Sequence, residues 1–360
     1  MTSTNNRINY LDNLRVLCML FIVFYHASGL GNPDILMKTG KFFLYFSLEV
    51  FFLISGYLAA STLRSRGSKD YFNIRIPAVL LPLITISILV NPFIHYFRHG
   101  FRENVRYGSY TFTEAIRSSI SGKWDGYELH LWFLVLLLIY IILLPLLTPV
   151  LTRMASVMDR VRPSAIMFWL ALLLAVYMVC ASFVIDHLQA HRLAQPFARY
   201  MPYFLIGSLA FMSQNLRNAL HRIDAPLVLL MLLGLALVFF YDGPGWGHAK
   251  KFGRSLISFS LVVFIMLAAR KFLNGRNYVS DIFSRSIYTT YLLHTFFIFL
   301  LFYLLDIHTG QVTPYHVVFA TILAVAISTA IHLFLIERYG FMAFLFNGKA
   351  NQKAKPTNQP

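Results

Sequence analysis

The chain has 360 residues, of which 58% are hydrophobic and only 13% charged. A water-facing globule needs about a quarter of its residues charged, so a soluble domain is excluded and a membrane protein is indicated. The 31 Lys and Arg against 15 Asp and Glu leave a net charge of +16, but the basic residues fall between apolar runs. No dense Lys/Arg stretch interleaves with stacking aromatics on a polar face, which argues against a nucleic-acid partner and for topology-setting charges facing membrane lipid.

Ten apolar runs have the length of a membrane span, at about 12–31, 42–63, 76–97, 129–151, 165–186, 197–213, 225–241, 254–273, 285–306 and 315–337. The fold expected is an all-α integral membrane bundle of about ten transmembrane helices. Its domain covers residues 1–348, and a polar, disordered cytoplasmic tail covers 349–360. The first run carries Asp12, Arg15 and His26 and lacks a small-residue cleavage site, so it reads as a retained helix. An even number of spans puts both termini on one side. With the termini cytoplasmic, 19 of the 31 Lys and Arg lie inside, which favours that orientation. The longest outer connection is then 98–128, and Cys18 and Cys180, both within apolar runs, read as buried thiols.

Titratable groups inside spans are costly and therefore candidates for function. Arg15 and His26 are eleven residues apart, which is about 16 Å of helical rise and only about 20° beyond three full turns, so they share one helix face. Glu49 is expected about 10 Å below the outer surface, at the depth of His26, where carboxylate and imidazole form a plausible general-base pair. Each has a plainer reading: Arg15 as an interfacial anchor, His26 as a helix–helix hydrogen bond, and the Glu49–His26 pair as an ion pair holding two helices. Arg75 opens the third run at the level of Arg15, where two cations could hold phosphates or simply mark the inner side. His130 and Trp132 start the fourth run on the outer side, near the depth of His26. They read as lining for an acceptor site, or Trp132 as a belt residue. His294 lies mid-membrane in the ninth run, after Tyr288 and Tyr291.

Other motifs carry less. His187 and His191 have the spacing of two metal ligands, but no carboxylate follows in a metalloprotease pattern, and no metal is expected. No phosphate-binding glycine loop or nucleophile elbow is present.

Arg15 and His26 within YLDNLRVLCMLFIVFYH, followed by VFFLISGYL at 50–58, resemble the membrane acyltransferase 3 family. Further segments, HLWFL at 130–134, YMPYFLIGSLAF at 200–211, SIYTTYLLH at 286–294 and FLFNGK at 344–349, are similar to its glucan-biosynthesis group. The resemblance implies a ten-span bacterial inner-membrane enzyme that takes an acyl group, succinyl in that group, from cytoplasmic acyl-CoA. It delivers that group to hydroxyls of osmoregulated periplasmic glucan, with no bound cofactor and with other glucan-biosynthesis proteins as potential partners. Arg15 and His26 occupy the family's Arg-x10-His motif, and Glu49 its acidic position. Two departures are Ala78, where a second basic residue often follows Arg75, and Phe296, where a Pro commonly follows His294.

These assignments combine into one expected mechanism. Arg15 and Arg75 hold the CoA phosphates, and His26, oriented by Glu49, deprotonates a sugar hydroxyl for attack on the thioester. Groups near His130 stabilise the oxyanion. Arg199 and Arg254 are candidates to bind the distal carboxylate of a succinyl group. The alternatives are O-acetylation of another envelope polysaccharide and, from a different class, transport of an organic anion through broken helices.

Overall fold

The computed structural model describes residues 8–30, 35–102, 110–121, 129–189, 192–241, 243, 246–308 and 311–348. The expected tail at 349–360 and His191 lie outside the described residues. Among the described residues there is no strand. The helices are α1 (Asn9–Ser28), α2 (Ile35–Phe43), α3 (Ser47–Leu89), α4 (Asn91–Arg102), α5 (Phe112–Ser121), α6 (Trp132–Met158), α7 (Pro163–His187), α8 (Ala194–Met212), α9 (Gln214–Ala219), α10 (Ala225–Phe239), α11 (Trp246–Phe272), α12 (Tyr278–Leu304), α13 (Pro314–Ile331) and α14 (Gly340–Asn347). A π-helical turn, His332–Ile336, continues α13.

Local chemistry explains several boundaries. Asp12 in the first turn of α1 complements the helix dipole. Asn277 and Ser280 cap α12 reciprocally. Pro163 opens α7, where the missing N–H costs nothing.

Among the described residues, seven segments are long and apolar enough to cross a membrane, against the ten apolar runs of the sequence. The second and third runs fall in one continuous stretch, Leu36–Leu89. That stretch is interrupted at Gly67, whose φ of 75° and ψ of 169° belong to a region open essentially only to glycine. The run at 225–241 yields α10, whose 15 residues rise about 22 Å, short of the roughly 30 Å hydrocarbon core. The run at 197–213 yields α8, which carries Gln195, Arg199, Tyr200 and Tyr203 and is not among the seven. The third run also ends early: α3 stops at Leu89, and residues 91–102 form the separate α4.

The chain divides into two units. Unit 1 comprises Met1–Cys18, Tyr45–Ser68 and Tyr140–Arg276; unit 2 comprises Met19–Leu44, Lys69–Ile139 and Asn277–Pro360. In unit 1, α11 packs on α10 and α7, and α7 also meets α8 and α9. The first half of α3 crosses α8 at a pair of glycines. A Cβ on Gly56 would stand 1.9 Å from the carbonyl oxygen of Phe204, and one on Gly207 would stand 1.8 Å from that of Leu53. Ser208 seals the crossing by donating to the Gly56 carbonyl at 3.1 Å. Cys18 is buried here, whereas Cys180 is exposed, which corrects the expectation for the second thiol. It shares a helical stripe with the exposed Trp169, Leu173, Val176 and Phe183, an apolar face that suits lipid rather than protein.

In unit 2, α12 packs on α13 and α4, α4 packs on α5, and the π turn meets α12 and α14. Phe101 stacks on Phe302 with ring centroids 5.3 Å apart, and Phe97 lies 4.8 Å from Tyr303. These rings lock α4 along the second half of α12.

Candidate functional site

Unit 2 brings three imidazoles together. The ring of His294, fully buried on α12, lies 5.1 Å from that of His26 and 5.4 Å from that of His130. His26 ends α1, and His130 sits in the 3-10 turn Leu129–Leu131 that precedes α6.

Backbone carbonyls, which can only accept, settle two of the three tautomers. His294 donates from Nδ1 to the carbonyl of Tyr291 at 2.8 Å, with the carbonyl of Thr290 at 3.2 Å. Its Nε2 therefore carries the lone pair, 3.2 Å from the Thr295 hydroxyl. His130 donates from Nε2 to the carbonyl of Leu292 at 3.1 Å, which leaves the lone pair on Nδ1. That atom is buried and has no hydrogen-bond partner among the described residues. Tyr291 closes the loop by donating to the carbonyl of His130 at 2.9 Å. The half-buried ring of His26 makes no hydrogen bond among the described residues, so either nitrogen is open to a substrate. A neutral imidazole so placed can take a proton from a hydroxyl.

The sequence reading missed Arg98, whose buried charge on α4 lies within electrostatic reach of His26. Its signal is the i, i+4, i+7 spacing of Asn91, His95 and Arg98, all buried on one face of α4. Trp132, the first residue of α6, is half-buried in the same unit. Arg75, also in unit 2, is half-buried one turn after Tyr71 and one turn before Ala78, whose carbonyl accepts from Tyr288 at 3.0 Å.

Glu49 and Arg15 belong to unit 1. Glu49 is fully buried, and its Oε1 accepts from Arg199 Nε at 3.0 Å and Nη2 at 2.6 Å. Its Oε2 is buried without a partner among the described residues. The sequence reading assigned no partner between these two residues, which are 150 positions apart. Arg15 faces Asp12, 3.6 Å away on the same helix. Among the described residues, no cluster of three or more His, Cys, Asp or Glu is arranged to hold a metal ion.

The family described as acyltransferase domain, acyltransferase 3, matches residues 8–333. No curated protein and no solved structure matches the chain.

Proposed function

The chain belongs to the acyltransferase 3 family and is a helical membrane acyltransferase; from that premise and the imidazole cluster we propose that it moves a succinyl group from cytoplasmic succinyl-CoA across the bacterial inner membrane to hydroxyls of periplasmic glucan. The observation that carries the reading is the junction of His26, His130 and His294, which offers one unrestrained imidazole beside two fixed lone pairs. Such a site accepts hydrogen bonds from hydroxyls, which is what a sugar acceptor supplies.

In this reading His26 takes the proton from the acceptor hydroxyl, the hydroxyl oxygen attacks the thioester carbonyl, and the C–S bond breaks. The CoA thiolate leaves and recovers a proton. His130 Nδ1 holds the attacking hydroxyl or its neighbour. A neutral His130 with Nε2 committed to Leu292 cannot donate from Nδ1, so the expected oxyanion role becomes an acceptor-holding one. Arg75 is the contact offered to the donor phosphates, and Arg15 is a second candidate that must first release Asp12. Glu49 is assigned a catalytic role on its complete burial with Oε2 unengaged, since such a carboxylate can steer or take up a proton. Ten spans with cytoplasmic termini complete the proposal.

The test is mass spectrometry of periplasmic glucan from a host without its own succinyl substitution, carrying the protein or its His26→Ala variant. General-base catalysis contributes ~10²–10⁴-fold. Succinylated glucan is therefore expected with the intact protein and a loss of that size with the variant. Neutral glucan in both, with each protein present in the membrane, overturns the proposal in favour of another envelope polysaccharide.

A further inference from the structure

Acyl transfer at His26 develops negative charge on the thioester carbonyl oxygen, and the imidazole cluster gives that charge no donor. His130 and His294 present lone pairs rather than N–H groups, and His26 meets the acceptor with the nitrogen that takes its proton. Unit 2 nevertheless holds a cation at this site. Arg98 is only 8% exposed and is, among the described residues, the one Lys or Arg that is buried. A buried guanidinium is costly to keep and is a candidate for function on that ground.

Helix packing sets the depth of Arg98. Phe93 and Phe97 on α4 both meet Phe296, with ring centroids 6.4 and 6.0 Å away. Phe296 follows His294 by two residues, about 3 Å of rise. Arg98 comes directly after Phe97, so its backbone stands near the depth of the cluster. One residue turns a helix by about 100°, which takes Arg98 off the aromatic seam and onto the stripe it shares with the buried Asn91 and His95. From that stripe its charge acts on His26. A guanidinium carries five N–H donors in a rigid fork, so contacts on one edge leave others for an oxygen.

Charge balance favours an oxyanion as the group it meets. A cation beside a general base opposes the proton that the base must take. The opposition is offset when negative charge forms between the two in the same step, and acyl transfer forms it there. The base stands about 3 Å from the attacking oxygen, and an oxyanion donor stands about 3 Å from the new oxyanion. Base and cation thus flank the reacting carbon, each within the field of the other. The distal carboxylate of a succinyl group lies several bonds farther from the base, so a cation holding it would act on the base more weakly. Burial adds to the effect, because a fixed charge in a dry site is little screened.

We propose that Arg98 is a catalytic residue that donates to the tetrahedral oxyanion formed when the acceptor hydroxyl attacks the thioester; the inference rests on the acyl-CoA reading above. His26 takes the hydroxyl proton, the O–C bond forms, and the carbonyl π electrons move onto oxygen, where the Arg98 N–H groups hold them. The intermediate then collapses: the C=O bond re-forms and the C–S bond breaks. The CoA thiolate takes a proton from water, and His26 returns its proton to water. Arg98 keeps its own protons throughout. Its contact strengthens only as charge builds on the oxygen, so its effect falls on kcat rather than on substrate binding.

The experiment measures CoA release and glucan acylation at steady state by the purified full chain in lipid nanodiscs, with succinyl-CoA and acetyl-CoA in turn. The intact protein is compared with Arg98→Gln and Arg98→Lys, after thermal unfolding has established which variants fold. Arg98→Gln should lose ~10²–10³-fold in kcat with both donors, the cost of one oxyanion donor, with each KM close to that of the intact protein. Arg98→Lys keeps the charge but lacks the fork and the reach, and should lose at least ~10-fold. It carries the test on its own if Arg98→Gln does not fold. An unchanged kcat in either folded variant overturns the proposal. A raised KM confined to succinyl-CoA, with acetyl transfer intact, also overturns it and makes Arg98 the contact for the distal carboxylate. Slowed CoA release in the variants with glucan unmodified supports the oxyanion role and removes glucan as the acceptor. CoA release from neither donor by the intact protein removes the acyl-CoA reading and the role of Arg98 together.

Discussion

His130 and His294 are held in opposite tautomers by one stretch of α12: Nε2 of His130 donates to the Leu292 carbonyl and Nδ1 of His294 to the Tyr291 carbonyl, one residue apart. The register of a single helix therefore decides that both rings meet a ligand as hydrogen-bond acceptors. Because Nδ1 of His130 is buried and open, a hydroxyl that fills it satisfies a group that otherwise costs about 1–3 kcal/mol.

His130→Phe should therefore raise the KM for the sugar acceptor by an amount equivalent to ~1–3 kcal/mol, with a smaller effect on the KM for the acyl donor. His130→Asn, whose amide oxygen accepts, should recover part of the loss. Steady-state kinetics with acceptor and donor varied separately reads this out. An acceptor KM unchanged in His130→Phe would remove the residue from the acceptor site.

At the crossing of α3 and α8, any Cβ collides with backbone rather than with a side chain that can swing away. Gly56→Ala or Gly207→Ala should each cost about 2–4 kcal/mol, because the helices must separate to relieve a contact below 2 Å. Gly67→Ala is the control: a Cβ there meets nothing within 4 Å, so it bears only backbone strain of ~1–3 kcal/mol. Thermal unfolding in detergent should rank both packing variants below Gly67→Ala, and the reverse order would show that the crossing is not a tight contact.

The apolar runs made the helical class legible, since spans advertise themselves by length and hydropathy. Apolarity does not separate protein from lipid, however, which is why Cys180 reads as buried in sequence and stands exposed beside Trp169 and Leu173. The same signal cannot show that two runs join in one stretch bent at Gly67. His26, His130 and His294 stood out as costly residues in apolar segments, but their association depends on long-range packing. Arg98 and His332 lay at the edges of runs, where a polar residue costs little and signals little. Glu49 was visible as a buried acid, while its pairing with Arg199 spans 150 residues and leaves no local periodicity.

Outside the spans, Asp159 ties the end of α6 to the joint between α8 and α9. Its Oδ1 accepts from the Ser213 hydroxyl at 2.6 Å and from the Asn215 N–H at 3.0 Å. These hydrogen bonds hold its carboxyl below the ordinary range, the Ser213 hydroxyl contributing most. A depressed folded value stabilises the protein above the unfolded pKa of about 3.9, and that stability is lost as pH falls through the folded value. Asp159→Asn should thus melt below the wild type at neutral pH. The gap should hold steady down to about pH 5 and close in more acidic buffer. A gap that is as wide at pH 3 as at pH 7 would show that charge at Asp159 contributes nothing.

The Glu49–Arg199 pair is asymmetric in burial: the carboxylate is 0% exposed, the guanidinium side chain 42%. Removing Arg199 strands a buried charge, so Arg199→Ala should cost ~3–5 kcal/mol. Glu49→Gln should cost less, because the cation it releases already reaches the surface. Combining Glu49→Gln with Arg199→Met removes both charges and should restore much of the stability, since replacing a whole buried pair is often close to neutral. Turnover then separates structure from chemistry. A catalytic Glu49 predicts that the double variant folds and remains inactive, whereas recovered turnover would reduce the pair to a helix clamp. Comparing succinyl-CoA with acetyl-CoA in the same set tests the other role open to Arg199. Should its guanidinium also bind the distal carboxylate of the donor, Arg199→Met alone, which keeps Glu49, loses succinyl transfer selectively in the fraction that folds. An unchanged ratio of the two donors would confine Arg199 to its partnership with Glu49.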